Sequence, residues 1–68
     1  MTVDARGLRC PKPVIELARA ARGSAPGTEI TVLHTDPAAP GDIAAWCRMR
    51  GHTLVDQFPG STTLTLSR

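Results

Sequence analysis

Cys10 opens the run Cys10-Pro11-Lys12-Pro13, directly after Gly7-Leu8-Arg9 and directly before an amphipathic stretch, Val14 to Arg22. A thiol there can act as a nucleophile or carry a transferable group, provided it ionises and stays accessible. Pro11 suits the first helical position, where its missing N–H would have no partner anyway and its φ is already near helical. Its ring also biases Cys10 toward an extended conformation, so the cysteine belongs to the loop and points outward from the helix's positive end. A helix N-terminus and nearby cations both favour an anion, which predicts a thiol modestly more acidic than free cysteine. Pro11 and Pro13 remove two first-turn donors and leave Lys12 as the only backbone donor among the first three positions. The helix end then supplies orientation and a diffuse field more than hydrogen bonds to sulfur. A thiol poised in this way suits reversible loading, since a heavily stabilised thiolate is a poorer nucleophile.

Arg6, Arg9 and Lys12 surround Cys10 in the sequence, a basic collar that can steer an acidic partner or favour thiolate, beside the blander reading of solvated surface charge. Cys47 differs. It falls mid-helix on an apolar side next to Trp46, where it reads as a small buried hydrophobe. There is no Cys-x-x-Cys pair to suggest a redox couple, although reversible bridging of Cys10 and Cys47 would define a thiol–disulfide protein. Cys10, His34, Cys47 and His52 have the residue types for metal binding but no spacing of a zinc module, so no metal or cofactor is expected. His52 follows Gly51 as a helix-end or strand-start residue. Asp36 with Pro37 reads as a turn, with partner contact as a second role, and Asp42 reads as a helix N-cap.

The elements that must position Cys10 follow from the pattern. Thr2 to Ala5 suits a short strand, and a helix runs from about Pro11 to Arg22, with Val14, Leu17, Ala18 and Ala21 at the spacing of one buried face. Gly23-Ser24-Ala25-Pro26-Gly27 stops it. Thr28 to His34 alternates and is rich in β-branched residues, as a strand should be. A loop from Thr35 through Pro40-Gly41 leads to a second helix, Ile43 to about Arg50, closed by Gly51. Thr53 to Phe58 and Ser61 to Leu66 flank Pro59-Gly60 as a hairpin. The order is βαβαββ, which predicts an α+β two-layer sandwich with both helices on one face of a four-stranded mixed sheet.

Length bounds the rest. Sixty-eight residues make one small domain, 1–68, with room for one core. The net charge of +2 is mild and shows no basic stripe, and one Trp, one Phe and no Tyr supply little for base stacking, so direct nucleic-acid binding is not expected. Apolar runs are too short to span a membrane, and the N-terminus lacks the basic-then-apolar pattern of a signal peptide. A reducing, cytoplasmic setting with free thiols is the expectation.

Asp4-Ala5-Arg6-Gly7-Leu8-Arg9-Cys10-Pro11-Lys12-Pro13, then Pro26-Gly27, Thr35-Asp36-Pro37, Asp42-Ile43, Trp46-Cys47 and Gly51-His52, closely resemble the TusA family of sulfur-carrier proteins. The resemblance runs in order over nearly the whole chain. It implies a βαβαββ sandwich similar to the C-terminal domain of translation initiation factor three. It also implies that Cys10 accepts sulfane sulfur as a persulfide and passes it on. The implied partners are a cysteine desulfurase or rhodanese-type donor and a downstream sulfur-acceptor protein, in tRNA thiolation, molybdenum-cofactor sulfuration or sulfur oxidation. On this reading the chain is a carrier or sulfurtransferase component, with Arg6, Gly7, Leu8, Arg9, Pro11, Lys12, Pro13 and Asp36 in supporting or docking roles. The family's best-known members carry an acidic residue between the prolines, where this chain has Lys12. The contrasting reading, a regulatory or RNA-binding module, rests only on the implied fold and the positive charge.

Overall fold

The computed structural model describes residues 1–67. The elements are β1 (Thr2–Ala5), α1 (Lys12–Arg22), β2 (Glu29–His34), α2 (Ala39–Arg50), β3 (Thr53–Phe58) and β4 (Ser61–Thr65). The strands form one mixed sheet in the order β1-β2-β4-β3, with β1 parallel to β2 and the other pairs antiparallel. Both helices lie on one face, α1 against β1 and β2, α2 against β3 and β4. This is the two-layer βαβαββ sandwich that the pattern predicts.

Alternation along the strands sorts the residues. Ala5, Ile30, Val32, Leu64 and Leu66 turn inward and are buried, whereas Thr31 and Thr63 meet side by side on the open face at 2.9 Å. A sheet with one solvated face shows this apolar-in, polar-out pattern. From the helices, Leu17 of α1 and the stripe Ala39, Ile43 and Cys47 of α2 close the core. The buried polar pair within it is His34 Nε2 and Thr62 Oγ1, 2.9 Å apart on neighbouring strands.

Two elements depart from expectation. α2 begins at Ala39, four residues before Ile43, so Asp42 lies inside its first turn and is not its N-cap. Pro40 and Gly41 read as loop, but Pro is well tolerated in a helix's first turn, where its missing N–H would go unpaired. The cap residue is Ala38, with no side-chain cap, and Asp36 forms the turn that leads into it: its carboxylate accepts the Ala38 N–H at 3.0 Å and its carbonyl accepts the Ala39 N–H at 3.0 Å.

The second departure is in β3. Leu54 pairs with Leu64, but Asp56 pairs with Thr63, leaving Val55 as the extra residue of a bulge. Since side chains alternate with period two, one inserted residue inverts the facing of everything after it. Gln57 therefore turns toward the helices, where its amide donates to Pro40 O at 2.8 Å, and Phe58 faces outward, 61% exposed. Pro59-Gly60 closes the hairpin as predicted, and Gly60 takes the positive φ of 84° that a residue with a Cβ would resist.

Candidate functional site

Parallel pairing of β1 with β2 sets Ala5 opposite His34, so the loops leaving both strands emerge at the same end of the sheet. They are tied together there. Gly7, at φ 81°, donates its N–H to Thr35 Oγ1 at 2.8 Å, and Leu8 N–H returns to Ala5 O at 3.2 Å. Leu8 packs its side chain against the core beneath. Cys10 N–H donates to Asp36 Oδ2 at 2.5 Å, across a sequence separation of 26. One carboxylate thus fixes the Cys10 backbone with one oxygen and the start of α2 with the other. Asp36 is the clamp of this loop pair, and the two N–H groups it accepts hold its own carboxyl below the ordinary aspartate value, with Arg9 adding to the effect.

Cys10 itself is exposed, with its Sγ donating to Asp42 Oδ2 of α2. That contact reverses the expected acidity. Asp42 accepts the thiol proton, desolvation disfavours the thiolate, and the negative charges of Asp42 and Asp36 disfavour it further, so Cys10 titrates above an ordinary thiol. The first turn of α1 also differs from expectation. Pro11, joined to Cys10 by a cis peptide bond, is the cap residue, Lys12 begins the helix, and Pro13 is buried at its second position. Lys12 N–H bonds Arg9 O at 2.8 Å, so this donor is already used and does not face the sulfur.

The basic collar is only partly assembled. Arg6 turns back on Asp4, with Nε to Oδ1 at 3.0 Å and Nη2 to Oδ2 at 2.9 Å, which holds the Asp4 carboxyl at about 2. Arg6 is therefore paired with Asp4 of β1. Arg9 lies near Asp36, and Lys12 is exposed on α1. Asp42 is the site residue that the sequence reading did not assign to Cys10. The available signal was Asp36-Pro37-Ala38, an aspartate able to accept the N–H two residues on and so start a helix early. Starting α2 at Ala39 puts Asp42 on its first turn.

The remaining chemistry-bearing side chains are engaged elsewhere. Cys47 is 1% exposed within the core, and burial pushes its thiol up. His34 is occupied with Thr62, while His52 accepts Ser67 N–H at 3.1 Å and lies against Trp46, with ring centroids 5.0 Å apart. Beside the Cys10 sulfur a shallow hollow of about 310 Å³ runs between the helices, lined by Pro11, Val14, Asp42, Ala45, Trp46 and Met49.

The family model for sulfurtransferase TusA matches residues 1–68. The chain belongs to the TusA family. The sulfur carrier protein TusA of Pseudomonas aeruginosa is 46% identical over 55 residues, 81% of this chain and 70% of that protein. A protein of Neisseria meningitidis that is also named for sulfur carriage is 42% identical over 65 residues, 96% of this chain and 88% of its own length. Among solved structures, the SirA-like protein of Desulfitobacterium hafniense superposes with a TM-score of 0.78 at 25% identity, covering 98% of this chain and 97% of its own. The TusA fold seen here is therefore shared with that SirA-like neighbour, and family membership supports a sulfur-carrier role for the chain.

Proposed function

We propose that Cys10 is the sulfur-carrying residue, taking sulfane sulfur from a donor protein as a persulfide and passing it to an acceptor protein in the cytoplasm. The observation that carries this reading is an exposed thiol on a pinned loop, in a chain whose only other cysteine is shut in the core. Transfer between two proteins requires that the sulfur be reached from outside, and Cys10 meets that requirement. The loop clamp formed by Gly7, Thr35 and Asp36 presents the sulfur at a fixed place, and the hollow toward Met49 offers a partner an apolar approach. A cysteine desulfurase or a rhodanese-type protein is the matching class of donor, since both hold the sulfur to be passed on as a cysteine persulfide. Arg9 and Lys12, exposed on either side of Cys10 in the chain, supply positive charge for docking.

Intact-mass measurement after incubation with a cysteine desulfurase and cysteine tests this. The wild type and Cys47→Ala gain one sulfur atom, released by reductant, and Cys10→Ser gains none. An adduct that persists in Cys10→Ser, or a wild type that stays unloaded, overturns the assignment.

A further inference from the structure

We infer that Asp42 is the proton acceptor of the sulfur-loading step at Cys10, a catalytic residue contributed by α2 to a thiol carried on the α1 side. The inference rests on the carrier reading above and adds the group that makes an un-ionised thiol competent. Asp42 is half-buried at the rim of the apolar hollow and touches the reacting atom itself through the Sγ to Oδ2 hydrogen bond. The charged groups around Cys10 are Asp42 from α2 and Asp36 from the β2–α2 loop, with Arg9 set near Asp36. Asp36 is committed to two backbone N–H groups, whereas Asp42 holds the thiol.

Two carboxylates facing one sulfur keep it protonated in the free carrier, which leaves little thiolate for attack. The same contact supplies the remedy. A partner docked over Ala45, Trp46 and Met49 closes the hollow around the Cys10–Asp42 contact and brings the donor persulfide to it. Proton transfer is thereby coupled to docking. In the step itself, Cys10 Sγ attacks the terminal sulfur of the donor persulfide R–S–SH as its proton passes to Asp42 Oδ2. The new S–S bond forms, the donor S–S bond breaks, and its electron pair leaves on the donor thiolate, which then takes the proton from Asp42. Cys10–SH and R–S–SH become Cys10–S–SH and R–SH, with no net redox change and Asp42 returned to carboxylate.

The test compares wild type, Asp42→Asn and Asp42→Glu by two readouts that the proposal moves in opposite directions. The first is alkylation of Cys10 by iodoacetamide at neutral pH, and the second is single-turnover sulfur uptake from a saturating, pre-persulfidated cysteine desulfurase. Asp42→Asn removes a negative charge from the thiol, so alkylation quickens. It also removes the proton acceptor, so uptake slows on the order of 10²-fold, the lower end for general base catalysis. Asp42→Glu restores part of the uptake. If uptake in Asp42→Asn rises together with alkylation, or stays at the wild-type rate, Asp42 is no proton acceptor and the inference is overturned. Failure of the wild type to load at all refutes the carrier reading instead, and the two outcomes are distinct.

Discussion

At the scale of single residues, the acidity of Cys10 is decided by side chains 26 and 32 positions away in the sequence. Local reading counts Arg6, Arg9 and Lys12 around the cysteine and a helix dipole behind it, and all of these argue for a more acidic thiol. In the folded chain Arg6 is bound to Asp4, the Lys12 N–H is spent on Arg9 O, and the nearest charges to the sulfur are carboxylates. A carboxylate in contact outweighs the diffuse field of a helix end, which is worth only about 0.3–1 kcal/mol at an exposed site. The sign follows directly. The folded chain holds the Cys10 proton to higher pH than the unfolded chain does, so the associated stability is present below the unfolded thiol value and is lost as pH rises through the folded one. Alkylation of Cys10 in Cys47→Ala, followed against pH, is expected to show a higher midpoint in buffer than in strong urea. A lower midpoint in buffer would return the decision to the helix dipole and the cations.

At the scale of elements, legibility tracked whether a signal was local. The Thr2–Ala5 strand, the Leu17 face of α1, the Gly51 stop of α2 and the Pro59-Gly60 hairpin were all visible in the sequence, because each depends on residues within one or two turns of chain. The early start of α2 and the bulge at Val55 were not. The first has a local cue in Asp36-Pro37-Ala38 that is masked by Pro40-Gly41, which reads as loop, and the second depends on register against a partner strand. The His34–Thr62 pair belongs to the same class, since neither residue announces the other across a separation of 28. It is nonetheless a structural requirement, because an unpaired buried donor or acceptor costs about 1–3 kcal/mol. Thr62→Val keeps the shape and strands the imidazole, so urea denaturation should show a loss in that range. Adding His34→Val should cost less than the two single changes summed, because the stranded group is gone. Additive losses would mean that the hydrogen bond contributes nothing.

At the scale of the molecule, the helices, the loop clamp and the thiol gather on one side and at one end, which leaves the sheet's far edge free of chemical duty. That edge is β3, all six of whose residues are exposed, including Leu54, Val55 and Phe58. An edge strand with apolar side chains invites a second copy to pair along its open side. Two features oppose this. The bulge at Val55 interrupts the regular row of outward N–H and C=O groups, and Asp56 is the strand's one charged side chain, set in its middle. Pairing of two β3 strands about their centres would bring the Asp56 carboxylates of both copies close, and like charges near one another across a strand pair are destabilising. Asp56→Val removes that repulsion and adds a β-branched apolar residue. Sedimentation velocity should then show concentration-dependent association beyond that of the wild type, suppressed again by Asp56→Lys. Sulfur uptake at low protein concentration should stay near the wild-type rate, because Cys10 is held by Asp36 and Asp42, which lie on the β2–α2 loop and on α2. Equal sedimentation of Asp56→Val and wild type across the concentration range would show that the bulge alone protects the edge.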